Sequence, residues 1–129
     1  MKFSLLISAA PVSGQGSTSA LMFARAALES GHTIYRVFFL ADGVYNANRY
    51  NTSPTDEENI NASWAQLAHE HSVELISCIG SSVRRGILDR KEADRLGKPG
   101  ANLSPEFELG GLGQLVEACS NSDRVLSFC

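Results

Sequence analysis

The chain has 129 residues, 43% of them hydrophobic, and its 11 Lys+Arg against 14 Asp+Glu leave a formal net charge of −3. That length suits one domain, and the apolar content suffices for a core, which excludes a chain that is mainly disordered. An acidic pI near 5.5, with arginines scattered apart from Arg84-Arg85, argues against a nucleic-acid grip, and no apolar run reaches the ~18 residues a membrane span needs.

In chain order, Phe3 to Ala9 is a short apolar run closed by Pro11 and Gly14, which predicts a buried strand. The opening Met1-Lys2 and the residues after it faintly resemble a secretion signal, but the apolar stretch is short and the same residues are needed as the first strand. A helix is expected from about Thr18 to Ser30, with Ser17 as N-cap, an Arg25–Glu29 pair and Gly31 as the stop. Ile34 to Leu40 is β-branched and aromatic, a second strand. Strand, helix and strand in forty residues make a βαβ unit with parallel strands and a right-handed crossover.

Asp42 to Pro54 reads as an Asn-rich loop around a short helical turn at Tyr45–Asn48. Thr55-Asp56-Glu57-Glu58 has capping-box spacing, and Ile60, Trp64, Leu67 and Ala68 recur as one face of a helix ending near His71. Val73 to Ile79 is a third strand. Asp89, with Glu92 three residues later, caps a helix to Leu96 that closes at Gly97. Leu112, Leu115, Val116 and Cys119 share one helical stripe, expected to face the core. Arg124 to Phe128 is a closing strand, and Phe107-Glu108-Leu109 offers a short fifth. The alternation predicts a layered α/β domain spanning residues 1–129, with four to five mainly parallel strands.

Sites in open parallel sheets gather beyond the carboxyl ends of the strands, which selects residues 10–16, 41–54 and 78–86. Gly14-Gln15-Gly16-Ser17 fails both the Walker pattern and the dinucleotide fingerprint, leaving at most a loop that seats a neighbour or a small anion. His69 and His71 are two apart and point to different helix faces, so they do not chelate one metal. His32 and this pair read as solvated or helix-end residues, with a Cys–His catalytic pair left open. Tyr45, Tyr50 and Trp64 around the polar loop suit a subunit contact.

Cys78, Cys119 and Cys129 are an odd, sparse set with no CxxC and no zinc spacing, which points to free thiols in a reducing compartment. Cys119 reads as core filler and Cys129 as a frayed end. Cys78 is different. It sits at the end of the third strand before Ile79-Gly80-Ser81-Ser82, where Ser81 or Ser82 caps a following helix. Unpaired backbone N–H groups and a nearby guanidinium would there favour thiolate, the nucleophile of disulfide exchange and persulfide transfer. From position alone, a buried strand cysteine is an equal reading.

Several separated segments together resemble the DsrE/TusD family of intracellular sulfur-relay proteins: Arg36-Val37-Phe38-Phe39 running to Asp42-Gly43-Val44-Tyr45-Asn46-Ala47-Asn48; Cys78 with Arg84-Arg85-Gly86-Ile87; and Gly111-Leu112-Gly113-Gln114-Leu115-Val116-Glu117-Ala118 leading to Asp123-Arg124-Val125. The resemblance implies a flavodoxin-like, three-layer α/β/α subunit of the DsrE type in the cytoplasm. It further implies a sulfurtransferase that needs no cofactor and carries sulfane sulfur on Cys78 between a donor and an acceptor protein. The expected partners are two related smaller subunits (TusB/TusC-like or DsrH/DsrF-like) in a heterohexamer, with no direct nucleic-acid contact. The pathway implied first is 2-thiouridine synthesis at the tRNA wobble position; the alternatives are a DsrE-type role in sulfur oxidation and a non-catalytic assembly subunit. No role carries over to Arg84, Arg85, Cys119 or Cys129.

Overall fold

The computed structural model describes residues 1–129 and contains one sheet of five strands: β1 (Lys2–Ile7), β2 (Thr33–Phe39), β3 (Glu74–Cys78), β4 (Phe107–Gly110) and β5 (Arg124–Phe128). Their order is β4-β3-β2-β1-β5, and every neighbouring pair is parallel. Five helices connect them: α1 (Gly16–Glu29), α2 (Ile60–His71), α3 (Ile79–Arg84), α4 (Arg90–Arg95) and α5 (Leu112–Ser120). A 3-10 helix, Ala41–Ala47, follows β2 directly and replaces most of the expected loop.

The two faces of the sheet are covered unequally. On one face Phe3 meets Phe23 of α1 edge-on at 5.2 Å, and Phe39 meets Trp64 of α2 at 5.6 Å. Trp64 is fully buried there, so it is a core residue and not the subunit contact expected from the sequence. On the other face lies only α5, against β2 and β5. The inward expectation for its apolar stripe holds only at Leu115, which packs against the core: Leu112 and Val116 are 58% and 64% exposed, Cys119 is exposed, and Ala118 is the buried position. The reason is on β2. A register shift makes Phe3 pair with Ile34 but Ser4 with Arg36, so Tyr35 is an extra residue and Arg36 turns toward α5.

Arg36 is 4% exposed. Its Nε donates to Glu74 Oε2 (2.7 Å), Nη1 to the Gln114 carbonyl (2.8 Å) and Nη2 to Glu117 Oε1 (3.0 Å). Burial pulls against the charged guanidinium, but the hydrogen bonds to the two glutamates outweigh it and raise its pKa further. Docking Gln114 and Glu117 of α5 onto this charge leaves Leu112 and Val116 turned to solvent.

Local starts differ from the sequence reading where loop chemistry decides them. Helix α1 begins at Gly16, with Gln15 as its N-cap, because the Ser17 hydroxyl donates instead to the Ala9 carbonyl (2.8 Å). Helix α2 is capped by Asn59, whose side chain accepts from Ala62 N (3.1 Å), and not by the Thr55 segment. Arg25 pairs with Glu58 (2.6 Å) across α1 and α2 rather than with Glu29. Asp89 caps α4 as expected, accepting from Glu92 N (2.8 Å).

Replacing Arg36 by Met leaves carboxylates that are each about half exposed and rehydrate, so it costs about 1–2 kcal/mol in urea unfolding, whereas Glu74→Gln with Glu117→Gln strands a buried guanidinium and costs about 3; the reverse order contradicts this account. Arg25, then Ser63, holds the Glu58 carboxyl below its ordinary pKa, so its contribution is present at neutral pH and disappears as pH falls through the depressed value. The stability gap between the parent chain and Glu58→Gln should therefore shrink on acidification.

Candidate active site

Because all strands are parallel, their carboxyl ends lie together, with the segments after β1, β2 and β3 along one edge. A polar chain of contacts binds these segments. Asn46, fully buried, donates from Nδ2 to the Gly43 carbonyl (2.8 Å) and to Ser17 Oγ (3.0 Å), while Asn61 Nδ2 donates to the Asn46 carbonyl (2.7 Å) and Ser104 Oγ to Asn61 Oδ1 (3.1 Å). Gly43 has no room for a side chain: a Cβ would stand 2.0 Å from the Ile7 carbonyl oxygen. The 3-10 helix is thus pressed onto the end of β1, and its polar residues are spent on structure.

Cys78 is the last residue of β3 and also the N-cap of α3, with φ −57° and ψ 122°. The helix starts immediately after it, so Ser81 and Ser82 are inside α3 and are not its caps. Each hydroxyl has another task. Ser82 is fully buried and hydrogen-bonds to Ser77 Oγ (2.7 Å), tying α3 to the strand below. Ser81 Oγ accepts from the N–H of Ala41 (3.0 Å), a residue held at φ 51° where β2 ends. Arg85 continues the join, donating from Nε to Asp42 Oδ1 (2.9 Å) and from Nη1 to the Ser81 carbonyl (3.1 Å). The joints after β2 and β3 are therefore stapled to each other around Cys78.

The cysteine sits at the rim of the core. It is 9% exposed and belongs to the main apolar cluster, while the next two residues, Ile79 and Gly80, are exposed. No side chain caps the first N–H groups of α3, so donors stand free beside the sulfur-bearing residue. In register Cys78 faces Gly110 of β4. Gly110 is itself confined: a Cβ there would meet Gln114 Oε1 at 1.9 Å and Ile76 Cγ2 at 2.6 Å, and that Gln114 oxygen accepts from Gly111 N–H (3.2 Å).

The histidines are elsewhere. His32 precedes β2 and His71 precedes β3, so both lie at the amino ends, roughly 16 Å of strand away from Cys78. His32 Nδ1 contacts the N-terminal amine (2.8 Å), and His69 and His71 are exposed at the end of α2. A Cys–His pair at Cys78 is thereby excluded. All three cysteines are free, and no group of three or more His, Cys, Asp or Glu side chains is placed to share a metal ion. Arg84 is exposed and Arg85 is committed to Asp42, so neither guanidinium is shown on the sulfur.

With this geometry in view, the comparisons are decisive about ancestry: the DsrE/DsrF-like family matches residues 1–128. The chain belongs to that family. It is 48% identical over 128 residues to the DsrE protein of Allochromatium vinosum, covering 99% of this chain and 98% of the relative. It is 44% identical to the sulfurtransferase TusD of Cronobacter sakazakii, covering 99% and 100%. Among solved structures, the ychN protein from E. coli superposes with a TM-score of 0.75 over 99% of both chains at 22% identity, a likeness of fold. The three-layer, flavodoxin-like architecture expected from the sequence is the one observed.

The Ser77–Ser82 pair offers a direct check on how α3 is held. Ser82→Ala alone leaves a buried hydroxyl without its partner and costs about 1–3 kcal/mol, whereas Ser77→Ala with Ser82→Ala removes both and costs less. Thermal unfolding of the three variants measures it; equal or additive costs would show that the pair does not couple α3 to β3.

Proposed function

We propose that the chain is a persulfide-carrying sulfurtransferase with Cys78 as its carrier. The observation that carries this reading is the place of Cys78: a strand end at the carboxyl edge of a parallel sheet, beside uncapped backbone N–H groups and next to exposed Ile79 and Gly80. The names of the relatives give the reaction class, since the full-length relatives include sulfurtransferases. The position gives a nucleophile for it.

In the proposed step the Cys78 thiolate attacks the outer sulfur of a donor protein's persulfide. The donor's S–S bond breaks, its thiolate leaves with the electron pair, and Cys78 becomes the persulfide. An acceptor thiolate then attacks the outer sulfur of Cys78 and regenerates the Cys78 thiolate. Sulfur moves without net oxidation, so the chain's own residues suffice and no cofactor enters. The N–H groups at the start of α3 carry no side-chain cap, from Cys78 Sγ or any other atom, and would be available to an anionic sulfur turned toward them.

Two destinations for the sulfur accord with the relatives. The family resemblance implies a relay toward wobble 2-thiouridine for a TusD-like chain and a place in sulfur oxidation for a DsrE-like one, and this chain is 44% and 48% identical to relatives of those names. We keep the thiolation relay as the first reading and cytoplasmic assembly with two related smaller subunits as its setting. The solvent-facing stripe of Leu112 and Val116 supports such a subunit contact, and no helix is long and apolar enough to cross a membrane.

Loading the chain with a sulfur-charged cysteine desulfurase should add one sulfur atom, mapped to the Cys78 peptide by mass spectrometry and absent in Cys78→Ser. Sulfur retained in Cys78→Ser, on exposed Cys119 or Cys129, would overturn the assignment.

A further inference from the structure

The basic residues, expected to be scattered, are clustered: six of the eleven Lys and Arg stand between Arg84 and Lys98, with three acidic residues among them. That stretch carries a local excess of three positive charges in a chain of net −3, whose other residues hold eleven acidic and five basic groups. The three acids are all engaged inside the stretch: Asp94 pairs with Arg90 (3.7 Å), Glu92 with Arg95 (2.7 Å), and Asp89 caps α4. Arg85 is matched by Asp42. Arg84, Lys91 and Lys98 are exposed, and none of them is in an ion pair.

The fold adds a fourth cation and an apolar component. Arg49 N–H donates to the Asn102 carbonyl (2.8 Å), and Asn102 Nδ2 donates to the Gly86 carbonyl (3.0 Å), which brings the segment after the 3-10 helix beside the end of α3. Tyr50, Gly86, Leu88 and Lys98 line one shallow groove there. Arg49 is stacked on the Tyr50 ring (4.9 Å) and has no acidic partner, and Tyr50 is 66% exposed. Helix α3 has six residues, about 9 Å, so this face begins one short helix away from Cys78, about one Debye length at physiological salt.

Resting on the persulfide-transfer reading, we propose that this cationic face, centred on Arg49, Arg84 and Lys98, docks an acidic surface of the protein that exchanges sulfur with Cys78. A protein exchanging sulfur there must cover the surroundings of a residue that is only 9% exposed, so its footprint includes this face. Unpaired cations interleaved with exposed Tyr50, Ile79 and Leu96 have the composition of a protein contact. Four cations backed by eleven acidic groups on the rest of the chain suit a local acidic patch better than a polyanion. The effect is on encounter: complementary charge raises the association rate and selects partners.

The test uses the full chain with Cys119→Ser and Cys129→Ser, and two synthetic peptides, one acidic and one basic, each with a single cysteine activated as a 2-thiopyridyl disulfide. The Cys78 thiolate attacks the peptide sulfur, the mixed disulfide forms, and pyridine-2-thione leaves and is read by absorbance. The acidic peptide should react about tenfold faster at low salt, the gap closing near 0.5 M salt and vanishing in Arg84→Glu with Lys98→Glu. Lys2→Glu, on the far edge of the sheet, should keep the preference. Equal rates for both peptides, a preference that survives the charge reversal, or one that Lys2→Glu also erases, would overturn the docking face. Binding of a structured RNA that the same double variant abolishes would reassign the face to nucleic acid and overturn it too. Failure of Cys78 to exchange with either peptide would instead count against the carrier role itself.

Discussion

Parallel strands throughout the sheet are the constraint on which everything else rests. With β1, β2 and β3 running the same way, the three segments that follow them share one edge, and the histidines that precede β2 and β3 are sent to the other. The proposed site at Cys78 is thereby a thiol without an imidazole beside it. Its chemistry has to come from backbone donors, from the sulfur itself and from whatever protein approaches.

That edge is held by neutral hydrogen bonds more than by charge. Ser82 on Ser77, Ser81 on Ala41 N–H, and the Asn46–Asn61–Ser104 chain join four elements whose ends would otherwise be loose. Each is buried or nearly so, and a neutral polar contact there costs less to desolvate than an ion pair. Of the two buried charged residues, Arg36 and Glu92, Arg36 lies under α5, where it sets how that helix sits. The result is a rigid rim that keeps Cys78 in place, next to a surface whose charge is left uncompensated.

Much of this was legible in the residues, and the failures have identifiable causes. Strands β1, β2 and β3, the short β4, the C-terminal end of α2 and the Asp89 cap were visible because apolar period and cap chemistry agreed. Of the stripe Leu112, Leu115, Val116 and Cys119 only Leu115 faces the core as expected, because a bulge at Tyr35 and a buried Arg36 thirty residues or more from a partner cannot be inferred from a local pattern. Trp64 looked like a contact residue beside polar neighbours and is core, since the Asn-rich segment folds into a 3-10 helix that covers it with its own buried side chains. Cys78 was found at its strand end; its surroundings were not, because Ser81 bonds to the start of the 3-10 helix and Ser82 to β3. The cationic face was missed by reading charges singly and not by which acids were already engaged.

The central claim is that sulfur rests on Cys78 in transit. A single-turnover chase measures this most directly: the chain is loaded with radiolabelled sulfane sulfur and mixed with an acceptor thiol, and the label on the Cys78 peptide and on the acceptor is followed together. The account predicts that label leaves Cys78 at the rate at which it appears on the acceptor. Label reaching the acceptor while that on Cys78 stays constant would contradict it.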